Sequence, residues 1–315
     1  MELFPLRLVP PDTKIDFIGK RNIAYVVSLV LVVLSVGFFV VKGLNLGIDF
    51  KGGILMEVRT PGVANIENMR GQLSGLGLGE VALQEFGQPS DVLIRVERQP
   101  GGEKAQMRAV EVVKGALGAT VSSYRRVEFV GPKVGGELVE SGIYAVLLSL
   151  LAIMIYVWFR FEWQFSIGAI VALIHDVVTT IGMFSILGLE FNLATVAAIL
   201  TIAGDSINDT VVVFDRVREN LRRYKSLDVP DLLNLSVNQT LSRTVLTSLT
   251  TLLALFAIFF FGGAVIADFA FALIWGVLIG TYSSVWIASP VLIWLNIRGG
   301  ISGGVIGAKT ESKAP

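Results

Sequence analysis

Six nearly unbroken apolar stretches, near 22–41, 138–158, 164–187, 193–214, 241–262 and 269–296, dominate the hydropathy pattern of the chain. Each has about the 20 residues that an α-helix needs to cross a hydrocarbon core roughly 30 Å thick. The first, NIAYVVSLVLVVLSVGFFVV, is longer than the usual apolar region of a signal peptide. No clear A-x-A site follows it, so it predicts an uncleaved first span. After it the periodicity shortens. GILMEVRT alternates as a strand, NIENMRGQLSGL has helical spacing, and EVALQEFG and DVLIRVER read as strands flanking a turn at Gln88, Pro89 and Ser90. EKAQMRAVEVVKGALG predicts a second helix with its apolar face at Met107, Val110, Val113 and Leu117, and VSSYRRVEFV closes the segment as a strand. The order βαββαβ predicts a small α+β domain of ferredoxin-like type, one helical layer on an antiparallel sheet. The fold class expected is therefore an α-helical polytopic membrane protein with that domain between helices 1 and 2. Its plan is an N-terminal segment at 1–21, a first span at 22–41, the domain at 43–133, five further spans within 134–297 and a disordered tail at 298–315. The Gly and Pro residues of GPKVGGEL, 131–138, suit a hinge between domain and second span.

Composition agrees with a bilayer as solvent, since 53% of the 315 residues are hydrophobic and only 17% are charged. Formal net charge is zero and there is no long basic block, so nucleic acid is not implied as a partner. The absence of cysteine excludes disulfides and thiolate metal sites, and a lone histidine, His175, leaves little for an imidazole site. No nucleotide loop, metal cluster or nucleophile triad is evident, and no cofactor is called for. Charge asymmetry orients the spans. Arg7, Lys14, Lys20 and Arg21, then Arg160, then Arg216, Arg218, Arg222, Arg223 and Lys225, then Arg298, Lys309 and Lys313 all fall on one side. The opposite short loops, GLEFN and FGGAVIAD, hold no Lys or Arg. The positive-inside rule places both termini in the cytoplasm and residues 43–133 outside. Acidic and basic residues nearly balance in that outer segment, which predicts contacts through shape and exposed strand edges rather than a strong field.

The fourth span carries the chemistry. In GDSINDTVVVFDRVREN, Asp205 and Asp209 lie four residues apart, on one helix face and about 6 Å apart along the axis, with Asp205 near mid-membrane. Thr201, Asp205, Asn208 and Asp209 form a polar stripe, and the small residues Ala194, Ala197, Ala198 and Gly204 permit close helix contact. A central Asp costs roughly 2.5–3.5 kcal/mol to insert, so the stripe must face protein, water or a cation. Arg243, in NQTLSRTVLTSLTT of the fifth span, reaches the same depth on an antiparallel helix and is expected to pair with Asp209. Thr240, Ser242, Thr244, Thr247, Ser248, Thr250 and Thr251 give that helix a hydroxyl-rich face able to hold a water chain, and the third span adds His175 and Asp176. An intramembrane carboxylate, a partner guanidinium and nearby hydroxyls are the parts of a proton relay, here Asp209, Arg243, Asp205 and Asp176. A helix staple is the plainer alternative for the Asp–Arg pair, and a buried hydrogen-bonded histidine for His175. Asp215, beside Arg216, reads as a solvated ion pair. An intramembrane aspartyl protease would need two acids on facing helices, and only Asp176 stands opposite.

These motifs, together with GIDFKGG at 47–53, VEFVGPKVGGEL at 127–138, LEFNLATVAAILTI at 189–202 and GTYSSVWIASPVL at 280–292, resemble the SecF branch of the SecD/SecF family of protein-export membrane proteins. That family lies in the resistance-nodulation-division superfamily, and the resemblance runs from about residue 20 to 297 in fixed order. It implies an accessory subunit that uses the proton motive force to promote late steps of preprotein export. It implies SecD and the SecYEG translocon as partners, SecA and YidC beyond them, unfolded preprotein as cargo and the bacterial inner membrane as location. The family's proton-path residues fall on Asp209 and Arg243. Where the family reads GYSIND this chain has GDSIND, so Asp205 stands in place of Tyr and two carboxylates share a face. Six spans are half of the superfamily's twelve and no repeat of the span pattern is present, so a partner, SecD or else a second copy, is expected to supply the rest. A small-molecule exporter of the same superfamily would need a much larger external domain, and a passive translocon scaffold is the remaining alternative.

Overall fold

The computed structural model describes residues 9–10, 13–130, 132–262, 264–295 and 297–298. Part of the expected N-terminal segment, including Arg7, and the expected disordered tail beyond residue 298, including Lys309 and Lys313, lie outside the described residues. Among the described residues, six helices are long and apolar enough to cross a membrane. They are α1 (Arg21–Lys42), α5 (Pro132–Arg160), α6 (Trp163–Leu187), α7 (Leu193–Arg223), α8 (Val229–Phe261) and a composite last helix. That last helix comprises α9 (Ala264–Ser283), a π-helical turn (Ser284–Ala288) and α10 (Ser289–Trp294).

Both α7 and α8 overrun the apolar windows that predict them. The span expected at 193–214 continues to Arg223, and the one expected from 241 begins at Val229. Hydropathy sees only the membrane-facing turns. The added turns are amphipathic, and they bury Val217, Leu221, Leu232, Leu233 and Val237 in one cluster with Phe161, Phe165 and Phe214. Residues 15–18 are strapped to this end of α8. Asn234 Oδ1 accepts the backbone N–H groups of Phe17 and Ile18, both at 2.9 Å, and Asn238 exchanges two hydrogen bonds with the backbone of Ile15.

At the opposite end of the bundle, β2 (Gly53–Arg59), α3 (Ile66–Leu73), β3 (Val81–Phe86), β4 (Gln88–Glu97), α4 (Glu103–Leu117) and β5 (Ser123–Val130) form the βαββαβ unit. Its sheet order is β3-β4-β2-β5, with every pairing antiparallel, which is the split βαβ arrangement expected. Ile54, Met56, Val58, Met69, Val92, Ile94, Val96, Val110, Val113 and Leu117 make one core between sheet and helices. Two local expectations are corrected. The hairpin turns at Gly87, whose φ of 74° suits glycine, while Gln88, Pro89 and Ser90 already belong to β4. Met107 is 57% exposed, because α4 buries the stripe Gln106, Ala109, Val110, Val113 and Leu117 instead. Gln106 tolerates burial because its side chain donates to Gln99 O at 2.8 Å and accepts from Gln99 N.

Two contacts join the unit to the spans. The short strands β1 (Asn45–Leu46) and β6 (Glu190–Phe191) pair in parallel, and α2 (Ile48–Lys51) packs against α5. The expected hinge is not observed over 132–138, which is the first part of α5, while Gly131 lies outside the described residues. Gly135 serves close packing instead, since a Cβ there would sit 2.6 Å from the carbonyl oxygen of Phe50. On the sheet, buried Asp91 accepts from Arg59 Nε at 2.6 Å, Arg59 Nη2 at 2.8 Å and Arg125 Nη1 at 3.1 Å.

Ile94→Ala removes fully buried packing and is expected to destabilise the unit by about 2–5 kcal/mol, whereas Met107→Ala stays within about 0.5 kcal/mol. Denaturant titration followed by amide hydrogen exchange in β2 and β4 measures both. The Arg59 guanidinium, hydrogen-bonded to Asp91, holds that carboxyl below the usual carboxylate range. A lowered folded value means stability that is present above the ordinary Asp value of about 3.9 and is lost as pH falls through the folded one. Exchange protection in β4 should therefore hold from neutral pH to about 4 and fall below it, and Asp91→Asn should flatten that dependence.

Candidate functional site

The site forms where α7, α8 and α9 meet. α9 approaches α7 closely because it presents glycine there: a Cβ on Gly280 would lie 3.2 Å from Ser206 Cβ. That approach brings the hydroxyls of α9 within reach of the acids on α7. Asp209 accepts from Thr244 Oγ1 of α8 at 2.7 Å through one carboxylate oxygen, and from Ser284 Oγ at 2.5 Å through the other. Arg243 shares a polar cavity of about 40 Å³ with Asp205, Asn208, Asp209 and Thr247. A water needs only about 15 Å³ and two to four polar partners, so this space accommodates one. The direct Asp209–Arg243 ion pair expected from depth is not formed in this structure. Both carboxylate oxygens are taken by hydroxyls, and the exposed Arg243 side chain lines the same cavity without an ion pair to Asp209.

The predicted polar stripe divides. Asp209 is held against α8 and α9, while Ala194, Ala197, Thr201, Gly204, Asp205 and Asn208 remain exposed on the surface of this chain. Of the four small residues expected at a helix contact, only Ala198 is buried. The hydroxyl-rich face of α8 is also less available than its composition suggests. Thr240, Thr247 and Thr250 donate to carbonyls of their own helix, as Ser and Thr in helices do, and Thr244 and Ser248 reach across, Ser248 to Thr281 at 2.7 Å. Ser242 and Thr251 are exposed. Asp215 forms its ion pair with Arg160, at 2.9 Å to both carboxylate oxygens, rather than with the neighbouring Arg216, which binds Glu219.

Asp176 lies in a second, fully buried cluster. It accepts from Ser206 Oγ at 2.5 Å and Ser283 Oγ at 2.6 Å, and His175 Nδ1 is 3.0 Å away. His175 Nε2 is buried and has no hydrogen-bond partner among the described residues. Ser206, Ser283 and Ser284 were not singled out from sequence. The available signal was their presence as adjacent or i−3 polar residues within otherwise apolar spans, which must find partners inside the protein.

The helix that carries Asp209 is fastened to the βαββαβ unit at its N-terminus. Asn192 and Thr195 form a capping box there, and Leu193 N donates to Asp49 Oδ2 of α2 at 3.1 Å. Asn45 and Leu46 pair with Glu190 and Phe191, and Glu190 binds Arg95 of β4. Burial lowers the proton affinity of the Arg95 guanidinium, while the charges of Asp49 and Asp268 raise it. From Leu193 to Asp209 the helix is continuous over about 24 Å.

Comparison with known proteins agrees with this geometry. Residues 112–298 match the family described as protein export membrane protein SecD/SecF, C-terminal, and residues 37–60 match the SecD/SecF GG motif. Protein translocase subunit SecF of Rickettsia rickettsii is 45% identical over 295 residues, covering 93% of this chain and 95% of the relative. The corresponding protein of Rickettsia prowazekii is 44% identical over 93% of this chain and 94% of its own length. The crystal structure of SecDF, a translocon-associated membrane protein from Thermus thermophilus, superposes with a TM-score of 0.79 at 37% identity over 93% of this chain. SecDF in its super-membrane-facing form gives 0.71 at 38% identity over 95%. The chain spans 40% and 41% of those two SecDF chains. With six candidate spans, an α+β unit between the first and second, and near full-length identity to SecF proteins, the chain belongs to the SecF branch of the SecD/SecF family of protein export membrane proteins.

Proposed function

We propose that this chain is the SecF-type half of a membrane motor that converts the proton motive force into movement of its α+β unit, promoting late steps of preprotein export. The observation that carries the reading is the position of Asp209. Its two oxygens are held by α8 and the π-helical turn of the last helix, on a helix whose other end is fastened to the α+β unit through Asp49, Glu190 and Arg95. Both termini face the cytoplasm and residues 43–133 face outward, as the distribution of basic residues supports.

In this mechanism an ionised Asp209 draws on Arg243 across the cavity and accepts the Thr244 and Ser284 hydroxyls. A proton arriving from the external side removes the charge, and the neutral acid holds both hydroxyls less firmly. Helices α7, α8 and α9 then shift against one another. The N-terminus of α7 carries β6 with it, and the Glu190–Arg95 contact passes the displacement to β4. Release of the proton to the cytoplasm restores the starting arrangement. Each charge that crosses contributes about 2.3 kcal/mol per 100 mV, enough to shift a balanced two-state element. Asp205, on the same cavity, accompanies Asp209 in the relay, and Asp176 forms its buried branch.

The stripe left exposed on α7, with Asp205 and Asn208 on it, is a poor surface to present to lipid. A second six-span half covers it in this reading, and the SecDF neighbours support SecD as that half. SecYEG, with SecA and YidC, completes the machinery, unfolded preprotein is the cargo, and no cofactor is used.

Asp209→Asn should reduce preprotein export into inverted membrane vesicles to the level seen without a proton gradient; export at the wild-type rate would remove Asp209 from the mechanism. The coupling route has its own test. Glu190→Arg leaves two cations facing each other and should lower gradient-driven export, and combining it with Arg95→Glu should restore most of the loss, measured in the same vesicles.

A further inference from the structure

Asp176 and Asp209 stand on different helices, yet adjacent residues of the composite last helix hold both. Ser283 Oγ donates to Asp176 Oδ2 at 2.6 Å, and Ser284 Oγ donates to Asp209 Oδ2 at 2.5 Å. Each serine also has a second acceptor on its own helix at 3.1 Å, Gly280 O for Ser283 and Thr281 O for Ser284. A hydroxyl carries one proton, so each serine divides it between a carboxylate and a helix carbonyl. An ionised carboxylate is the stronger acceptor, and protonation shifts the balance toward the carbonyl.

The pair opens directly onto the π-helical turn of residues 284–288. Pro290 explains that turn. It has no N–H to return to the carbonyl of Trp286, and its ring excludes that carbonyl from the usual position, so the helix widens. Ser289 Oγ donates to Ser284 O at 3.0 Å and closes the wide turn. The two serines are therefore consecutive on one backbone, Ser283 closing the regular helix and Ser284 opening the widened turn.

We propose that Ser283 and Ser284 are positioning residues that couple the two acids, so that a proton taken up at Asp209 changes the proton affinity of Asp176, and the reverse by the same factor. The proposal deepens the relay reading and rests on it only in taking both acids to exchange protons. The titratable and charged groups facing Asp209 are Asp205 on α7 and Arg243 on α8. Those facing Asp176 are His175 on α6 and, beyond the imidazole, Tyr282, whose ring centroid is 6.1 Å from that of His175. Among the described residues, neither acid is ion-paired to a Lys or Arg.

The test is an infrared pH titration of the full chain in lipid vesicles, reading the carboxyl C=O bands after assigning them with Asp176→Asn and Asp209→Asn. Asp209→Asn should shift the Asp176 titration by about fivefold or more in proton affinity, the lower end of measured couplings. In a Ser283→Ala, Ser284→Ala background the Asp176 band should persist and the shift should vanish, while Ser283→Thr with Ser284→Thr should retain it. A shift of equal size in the double-alanine background, or none with both serines present, overturns the proposal. If the double-alanine chain fails to insert, Ser284→Ala alone is read by the same criterion. Export is not part of the readout. A wild-type export rate for Asp209→Asn would leave a positive titration standing, and a missing shift would leave Asp209 in the export mechanism.

Discussion

A carboxylate inside a bilayer has no water to solvate it, and the protein has to supply the hydrogen bonds itself. In this chain two acids impose that requirement on one small region. Asp209 draws on α8 and the last helix, and Asp176 draws on α7 and the last helix, so, with α6, four helices are arranged around the needs of two side chains. The glycines of α9 follow from the same requirement, because a short serine hydroxyl reaches a carboxylate on the next helix only when the backbones are close. Hydroxyls also suit a group that changes charge. They support the anion without fixing it as a permanent ion pair, and Arg243 lines the same cavity without clamping it.

Connection to the outer unit depends on a different kind of interaction. Arg95 and Glu190 are partly buried, and removing one of them would leave an uncompensated charge, so the pair resists separation more than a surface ion pair does. Because β6 leads directly into α7, the fastening lies at the end of the same rigid rod that holds Asp209. A continuous helix transmits axial displacement with little loss, which a flexible linker between domain and spans would not do.

Much of this was legible in the sequence. Apolar runs located all six spans, and alternating and helical periods gave the βαββαβ order, since burial on one face is written directly into those periods. Depth in antiparallel helices brought Asp209 and Arg243 to one level, where the structure has them lining one cavity and not forming the ion pair expected. What the sequence did not reveal depends on groups whose partners are decided only in three dimensions. Met107 has the right chemistry for a core face and the wrong angle by one residue. The Gly and Pro residues of 131–138 read as a break, yet Pro132 starts a helix and Gly135 makes room for Phe50. Ser283 and Ser284 carry no charge and follow no amphipathic period. Their importance emerges only once α6 and α7 are seen to present acids to them from two sides.

The strap formed by Asn234 and Asn238 extends the reach of α8 beyond its own span. Four hydrogen bonds tie residues 15–18 to it, and such bonds tolerate a change of roughly half an ångström before they fail. A larger slide of α8 along its axis has to drag the root of α1, whose far end runs into β1 and the outer unit. The outer unit and the N-terminal end of α8 are thus joined by a path through residues 15–18 and α1 that is separate from the one through β6 and α7.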